Sequence, residues 1–242
     1  MTEPLTRTAA SDAVADLGWR YLLGTLCTAV PVRSAEQAVH VCAVAVEACD
    51  GDADDHLRLD IRAGRVELAV HSAVVAAVLP RDVEIVRRVT AAVATLGLST
   101  AGAVTTGAGR SVQLLELAID SLEIAAIRPF WKAVLGYVDE PGHSGPEDPL
   151  IDPLRQGPAV WFQQMDAPRP QRNRIHFDLA VPHDEAEARI AAALEAGGVL
   201  VSDDEARAFW ILADVDGNEI CICTWQDRDD PSRRLGRLRE SG

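Results

Sequence analysis

The chain has 242 residues, 48% hydrophobic and 25% charged, a globular balance that excludes a wholly disordered protein and leaves apolar side chains for two cores. Its 37 acidic against 23 basic residues give a net charge of −14, which repels polyanions at long range and argues against nucleic acid as a partner. A neutral or cationic small molecule is the more comfortable ligand. The opening Met1-Thr2-Glu3-Pro4 lacks the basic stretch and apolar run of a secretory leader, so a cytoplasmic location is expected. The longest apolar stretch, around Val39 to Val46, is too short to span a bilayer. Cys27, Cys42, Cys49, Cys221 and Cys223 are odd in number and show no CxxC spacing, so neither a disulfide framework nor a zinc knuckle is signalled.

In chain order, Ser11 is positioned to cap a short helix running to Leu17, and residues 19–23 and 25–30 flank Gly24 as a hairpin. Ser34 with Gln37 forms a capping-box pattern ahead of a helix with Ala35, Ala38, Val39, Cys42, Ala45, Val46 and Cys49 on its apolar face. Leu57, Leu59 and Ile61 alternate, as do Val66, Leu68 and Val70, around Ala63-Gly64. A last helix starts at Pro80-Arg81-Asp82, carries Val83, Val86, Val89, Val93 and Leu96, and stops at Gly97. The order is therefore αββαββα. Pairing Ile61 with Val66, Leu59 with Leu68 and Leu57 with Val70 makes every cross-strand pair apolar. That register sets His56 opposite His71 on the face away from the helices, with directly paired Cβ atoms roughly 4.5–5.5 Å apart. Two imidazoles so placed can pass a proton between them; the plainer alternative is a pair of surface histidines at strand ends.

Gly18-Trp19-Arg20 through Gly97 resembles pterin-4a-carbinolamine dehydratase, whose strands begin with a His-His-Pro element and close with Thr-His. Asp55-His56-Leu57 falls on the first element and Val70-His71 on the second, while Leu79-Pro80-Arg81-Asp82 resembles the family's helix start. The resemblance implies a lyase that removes water from a 4a-hydroxytetrahydropterin, with His56, His71 and Asp55 as the catalytic group. Asp55 stands where the family has a histidine and Leu57 where it has proline. The aspartate could hold an imidazolium but could not donate protons as a third histidine would.

Residues 98–110, rich in Gly, Ala and Thr, read as a linker between a domain over 1–97 and another over 111–225, and residues 226–242 read as a charged tail. The second domain repeats one unit: a strand over 112–119, a helix over 124–134 and a strand over 159–165, then a strand over 174–181, a helix over 184–196 and a hairpin around Asp214-Val215-Asp216-Gly217-Asn218. The expected fold class is α+β, an N-terminal αββαββα domain followed by paired βαβββ modules. Phe130-Trp131-Lys132-Ala133-Val134-Leu135-Gly136-Tyr137 and the Asp214–Asn218 turn are similar to the glyoxalase-like members of the vicinal-oxygen-chelate superfamily.

That likeness implies metal ligands at the first and last strands of each module. His176 matches in the second module, and counting from Gly217-Asn218 reaches Cys221, with Glu219 two residues earlier on the same face. In the first module the position is Gln113 or Glu116, of which Glu116 fits the alternation, and the last falls near Gln163 or Gln164. A thiolate beside a neutral amide resembles no standard site, so a metal-free pocket is expected; a divalent metal, if bound, would use Glu116, Gln163, His176 and Cys221. The substrate pocket is expected to include Glu116, Gln163, His176, Asp178 and Trp210, with Trp161 and Phe209 as further apolar walls or as core. His176 has the plainer alternative of a hydrogen bond to Asp178. Three functions follow: a lyase acting on a pterin or related heterocycle, a small-molecule binding protein of bleomycin-resistance type, and a dimerising scaffold. A homo-oligomer is expected in each.

Overall fold

The computed structural model describes residues 3–102, 111–169 and 175–228. The chain divides into two compact units, Met1–Leu115 and Glu116–Gly242.

The first unit opens with α1 (Arg7–Ala15), whose N-cap is Thr6, its Oγ1 accepting the Ala9 N–H at 3.2 Å. The expected cap, Ser11, lies inside this helix. The physical reason is burial: Ala10 and Val14 both enter the core, so the helix must start before Ala10. β1 (Arg20–Leu22) and β2 (Thr25–Pro31) pair as a hairpin whose two turn residues, Leu23 and Gly24, have φ of 47° and 74°, matching the right-handed twist of the strands. In α2 (Ala35–Ala48), Ser34 Oγ accepts the Gln37 N–H at 3.1 Å, while Gln37 Oε1 accepts from Arg33 N at 2.8 Å rather than from Ser34. The buried stripe is Ala38, Val41 and Ala45. Val39 and Val46, expected on it, are 57% and 46% exposed, because each lies one residue round the helix from that stripe.

A four-residue helix, α3 (Ala53–His56), precedes β3 (Leu57–Arg62), which pairs with β4 (Arg65–Val70) in the register that apolar alternation dictates: Leu57↔Val70, Leu59↔Leu68, Ile61↔Val66. α4 (Pro80–Thr95) buries Val83, Ile85, Val86, Val89 and Val93. The sheet is antiparallel in the order β1-β2-β4-β3. Trp19 is fully buried in this core, its Nε1 donating to Thr90 Oγ1 of α4 at 2.9 Å. The first residues of the expected linker dock on this unit: Thr100 Oγ1 donates to Leu17 O at 2.6 Å, Ala101 N to Ala29 O at 2.8 Å and Gly102 N to Gly18 O at 2.6 Å. Residues 103–110 of that linker, and the tail from residue 229, lie outside the described residues.

The second unit contains β5 (Glu116–Ser121), α5 (Ile124–Leu135), β6 (Val138–Asp139), β7 (Leu150–Ile151) and β8 (Ala159–Gln164), then β9 (Phe177–Ala180), α6 (Ala186–Glu195), β10 (Val199–Ser202), β11 (Phe209–Ala213) and β12 (Glu219–Cys223). Each half is βαβββ. The sheets run β5-β8-β7-β6 and β9-β12-β11-β10, with the outer pairs β5/β8 and β9/β12 parallel and the rest antiparallel. The strand expected over 112–119 begins at Glu116, and that expected over 174–181 is confined to 177–180, Arg174 lying outside the described residues. Phe130, Trp131, Leu212, Ile220 and Ile222 pack in one core. A Cβ at Gly198 would come within 2.4 Å of the Phe130 ring, which fixes glycine at the close approach after α6. No helix among the described residues is long and apolar enough to cross a membrane.

Candidate functional sites

In the first unit the β3/β4 ladder continues past Leu57↔Val70, His71 N–H donating to the His56 carbonyl at 3.0 Å. The two histidines are therefore neighbours across the strand pair. His56 ends α3, and its Nδ1 lies 2.6 Å from Oδ1 of Asp82, a fully buried carboxylate in the first turn of α4. The second oxygen of Asp82 accepts the Leu79 N–H at 2.6 Å, so the residue caps the helix and orients the imidazole at once. The sequence expectation placed these histidines away from the helices; His56 instead reaches the N-terminus of α4. Asp55 is exposed, and it is Asp82 that meets the His56 ring. Beside this contact, Arg81 forms an ion pair with Asp52.

In the second unit β9 and β12 set Asp178 beside Cys221 in parallel register, and His176 precedes Asp178 by two residues. The ligand-type atoms of His176, Asp178 and Cys221 all lie within 4.8 Å of one another, with His176 Nε2 at 3.5 Å from Asp178 Oδ1. His176 and Asp178 are exposed, whereas Cys221 is buried. Burial, then the hydrogen bond and charge of Asp178, push the Cys221 thiol up to about 12. Imidazole, carboxylate and thiol donors so grouped are chemically able to hold a divalent ion, although the sequence expectation was of a metal-free pocket.

Glu116 opens β5 as an exposed residue outside that cluster. Gln163, opposite Asp120, is also exposed and its Nε2 donates to Gln164 O at 3.4 Å. Trp210 sits across from the buried Ile222 and packs, partly buried, against the core; Trp161 is 38% exposed.

A cavity of about 630 Å³ lies at the seam between the modules, walled by Leu117, Ile119, Trp131 and Phe177 and carrying Asp120, Asp216, Glu219 and Arg169. Among the described residues its lining includes Glu219, which the count from Gly217-Asn218 also reached, and none of Glu116, Gln163, His176, Asp178 and Trp210. Arg169 pairs with Asp120 at 3.0 Å. Asp216, which sequence reasoning read only as part of a turn, accepts from Ser121 Oγ at 2.6 Å and Leu122 N at 3.0 Å, and Asn218 Nδ2 donates to Asp120 O at 3.2 Å. Asp214 in the same turn accepts the Trp131 indole N–H at 2.9 Å. The turn of the second module thus holds the first strand and helix of the first.

Residues 116–223 match the glyoxalase-like domain family. With the paired βαβββ modules, that makes the second unit a glyoxalase-like domain of the vicinal-oxygen-chelate class. It is similar to a glyoxalase/bleomycin resistance protein/dioxygenase family enzyme from Burkholderia phytofirmans PsJN, at 16% identity over 47% of this chain and 98% of that one, with a TM-score of 0.38. The fosfomycin resistance protein FosX from Mesorhizobium loti matches at 11% identity over 52% of this chain and 98% of its own, with a TM-score of 0.37. FosX from Listeria monocytogenes, complexed with Mn(II) and sulfate ion, matches at 11% identity over 52% and 97%, with a TM-score of 0.37. No curated protein matches the chain.

Proposed function

We propose that the chain acts on small molecules at two places, the first unit eliminating water from a 4a-hydroxytetrahydropterin or a related heterocycle and the second holding a small organic ligand in its glyoxalase-like cavity. The observation that carries the first part is the 2.6 Å contact between His56 Nδ1 and buried Asp82, with His71 alongside. Elimination requires a proton to leave the ring nitrogen N5 while the hydroxyl on C4a departs protonated, as water. An imidazole whose Nδ1 is committed to Asp82 has Nε2 free to carry that proton, and a neighbouring imidazole supplies the second group. Asp55, exposed and beside His56, acts through its charge rather than as a proton donor.

The test is dehydration of 4a-hydroxytetrahydropterin by the full chain, by His56→Ala and by His71→Ala. Each substitution is expected to lower the rate about 10²–10⁴-fold. Equal rates in all three proteins would make the histidines structural and remove the lyase reading.

A second reading, a non-catalytic binding protein of bleomycin-resistance type with the first unit as dimerising scaffold, is favoured by one observation. Among the described residues, the seam cavity combines apolar and aromatic walls with Asp120, Asp216 and Glu219 and with Arg169. Such a lining suits a small cation with an apolar body. Absence of turnover together with a thermal shift on adding a cationic antibiotic or metabolite would select it.

A further inference from the structure

We propose that residues 233–239 of this chain dock into the seam cavity of the second unit, pairing along the outer edge of β5 and covering the place where the binding reading puts its small cation. β5 and β9 stand at the ends of two separate sheets. Residues 117–120, four in succession on β5, all line the cavity between the modules. Side chains alternate between the faces of a strand, so a cavity that touches all four lies against its edge rather than one face. The Asp120 carbonyl points out of that edge, where it accepts from Asn218 Nδ2 at 3.2 Å. Backbone groups two residues apart point the same way, so the N–H and C=O of Ala118 face the cavity too. Such an edge takes an extended segment by strand addition.

Chemistry selects the segment. Among the described residues the cavity carries the carboxylates of Asp120, Asp216 and Glu219 and the guanidinium of Arg169, which rests on Asp120 at 3.0 Å. An arginine is therefore already accommodated there. The apolar wall includes Ile175, which is 74% exposed and has surface left to cover. Residues 233–239 read Arg-Arg-Leu-Gly-Arg-Leu-Arg, a stretch with no acidic residue in a chain of net charge −14. Laid out as a strand, the stretch puts a leucine and at least one arginine on each face, and Gly236 permits close backbone approach.

Reach is sufficient. Arg228 is held near the end of β12, its Nε donating to Thr224 O at 2.5 Å, whereas Glu219 at the start of that strand lines the cavity. At roughly 3.3 Å per residue, β12 covers about 13 Å between its first and last residues. Extended chain from Arg228 to Arg239 spans up to about 36 Å. Docking rests on the binding reading only for its consequence, which is that a covered cavity admits a cation more weakly.

The experiment compares the full chain with a full-length variant carrying R233S, R234S, R237S and R239S. Backbone hydrogen exchange over residues 117–120 should be at least about tenfold faster in the variant. A synthetic peptide of residues 229–242 should restore protection to the variant, and the same peptide with its four arginines at 233, 234, 237 and 239 replaced by serine should not. Equal exchange in the two chains, or equal protection by both peptides, would overturn the proposal. So would protection of the unaltered chain that rises with its concentration, which would assign the contact to a second copy. The probe for the consequence is N-benzylguanidine, expected to bind the variant at least about tenfold more tightly than the unaltered chain. Equal binding to both chains would leave the binding reading standing and overturn the cover. Binding to neither, with the exchange difference intact, would remove the cationic-ligand reading and leave the docking in place.

Discussion

Asp82 and Asp214 each do two jobs with one carboxylate, and both were hidden in the sequence for the same reason. Asp82 satisfies the Leu79 N–H and the His56 ring from the first turn of α4; Asp214 takes the backbone N–H groups of Asp216 and Asn218 and, from α5, the Trp131 indole. Local spacing reveals the turn and the cap, since those partners are two to four residues away. It does not reveal His56 or Trp131, which arrive by packing from distant elements. The histidine pair was legible because strand alternation fixes a register and the register fixes the opposite residue. Trp131→Phe keeps the ring in the core and deletes only the donor to Asp214, a residue 3% exposed. Its expected cost is about 1–3 kcal/mol in the free energy of urea unfolding, the penalty of an under-satisfied buried acceptor. An unchanged midpoint would show that the turn keeps Asp214 satisfied without the indole.

At the scale of elements, helices with a wide apolar stripe were readable and short strands were not. α4 follows its 3.6-residue period from Val83 to Val93, and α5 does so from Ile124 to Val134. β6 and β7, two residues each, are too short to display any period, and their place is set by partners: Val138↔Ile151, Asp139↔Leu150 and Leu150↔Val160. β6 is also tied back to α5 by charge, for Asp139 accepts from Lys132 Nζ at 2.8 Å and Arg128 Nη2 at 2.6 Å. The Lys132 hydrogen bond first, and then that of Arg128, hold the Asp139 carboxyl below its ordinary range. A depressed folded-state value means that the stabilisation is present above the unfolded value, about pH 4, and is lost as pH falls through the folded one. Asp139→Asn should therefore be less stable than wild type at neutral pH, and the gap should close below about pH 4. A gap independent of pH would assign the effect to packing rather than to ionisation.

For the whole molecule, the repeat of the second unit was legible because both modules place a strand, a helix ending at glycine and a later strand in the same order. What the repeat did not disclose is the seam, where Asp216 and Asn218 of one module bind the first strand of the other and a cavity opens beside Trp131 and Phe177. Residues expected to meet there from the ends of four strands are divided instead: His176 lies with Cys221, Glu219 lines the cavity, and Glu116 and Gln163 are exposed on β5 and β8. Alternation assigns a face to each residue, but the distance between faces of different sheets depends on how the modules pack. The first unit has its own hydrophobic core, and its His56–Asp82 contact joins two residues of that unit. The central claim is that His56 and Asp82 act there as one proton-transfer unit, and the measurement is the dehydration rate of the full chain across a double-mutant cycle. His56→Ala and Asp82→Asn should each slow the reaction, by as much as about 10²–10⁴-fold for the histidine, and the double variant should be no slower than His56→Ala alone. Effects that multiply independently, or a wild-type chain with no dehydration above the uncatalysed rate, would contradict it.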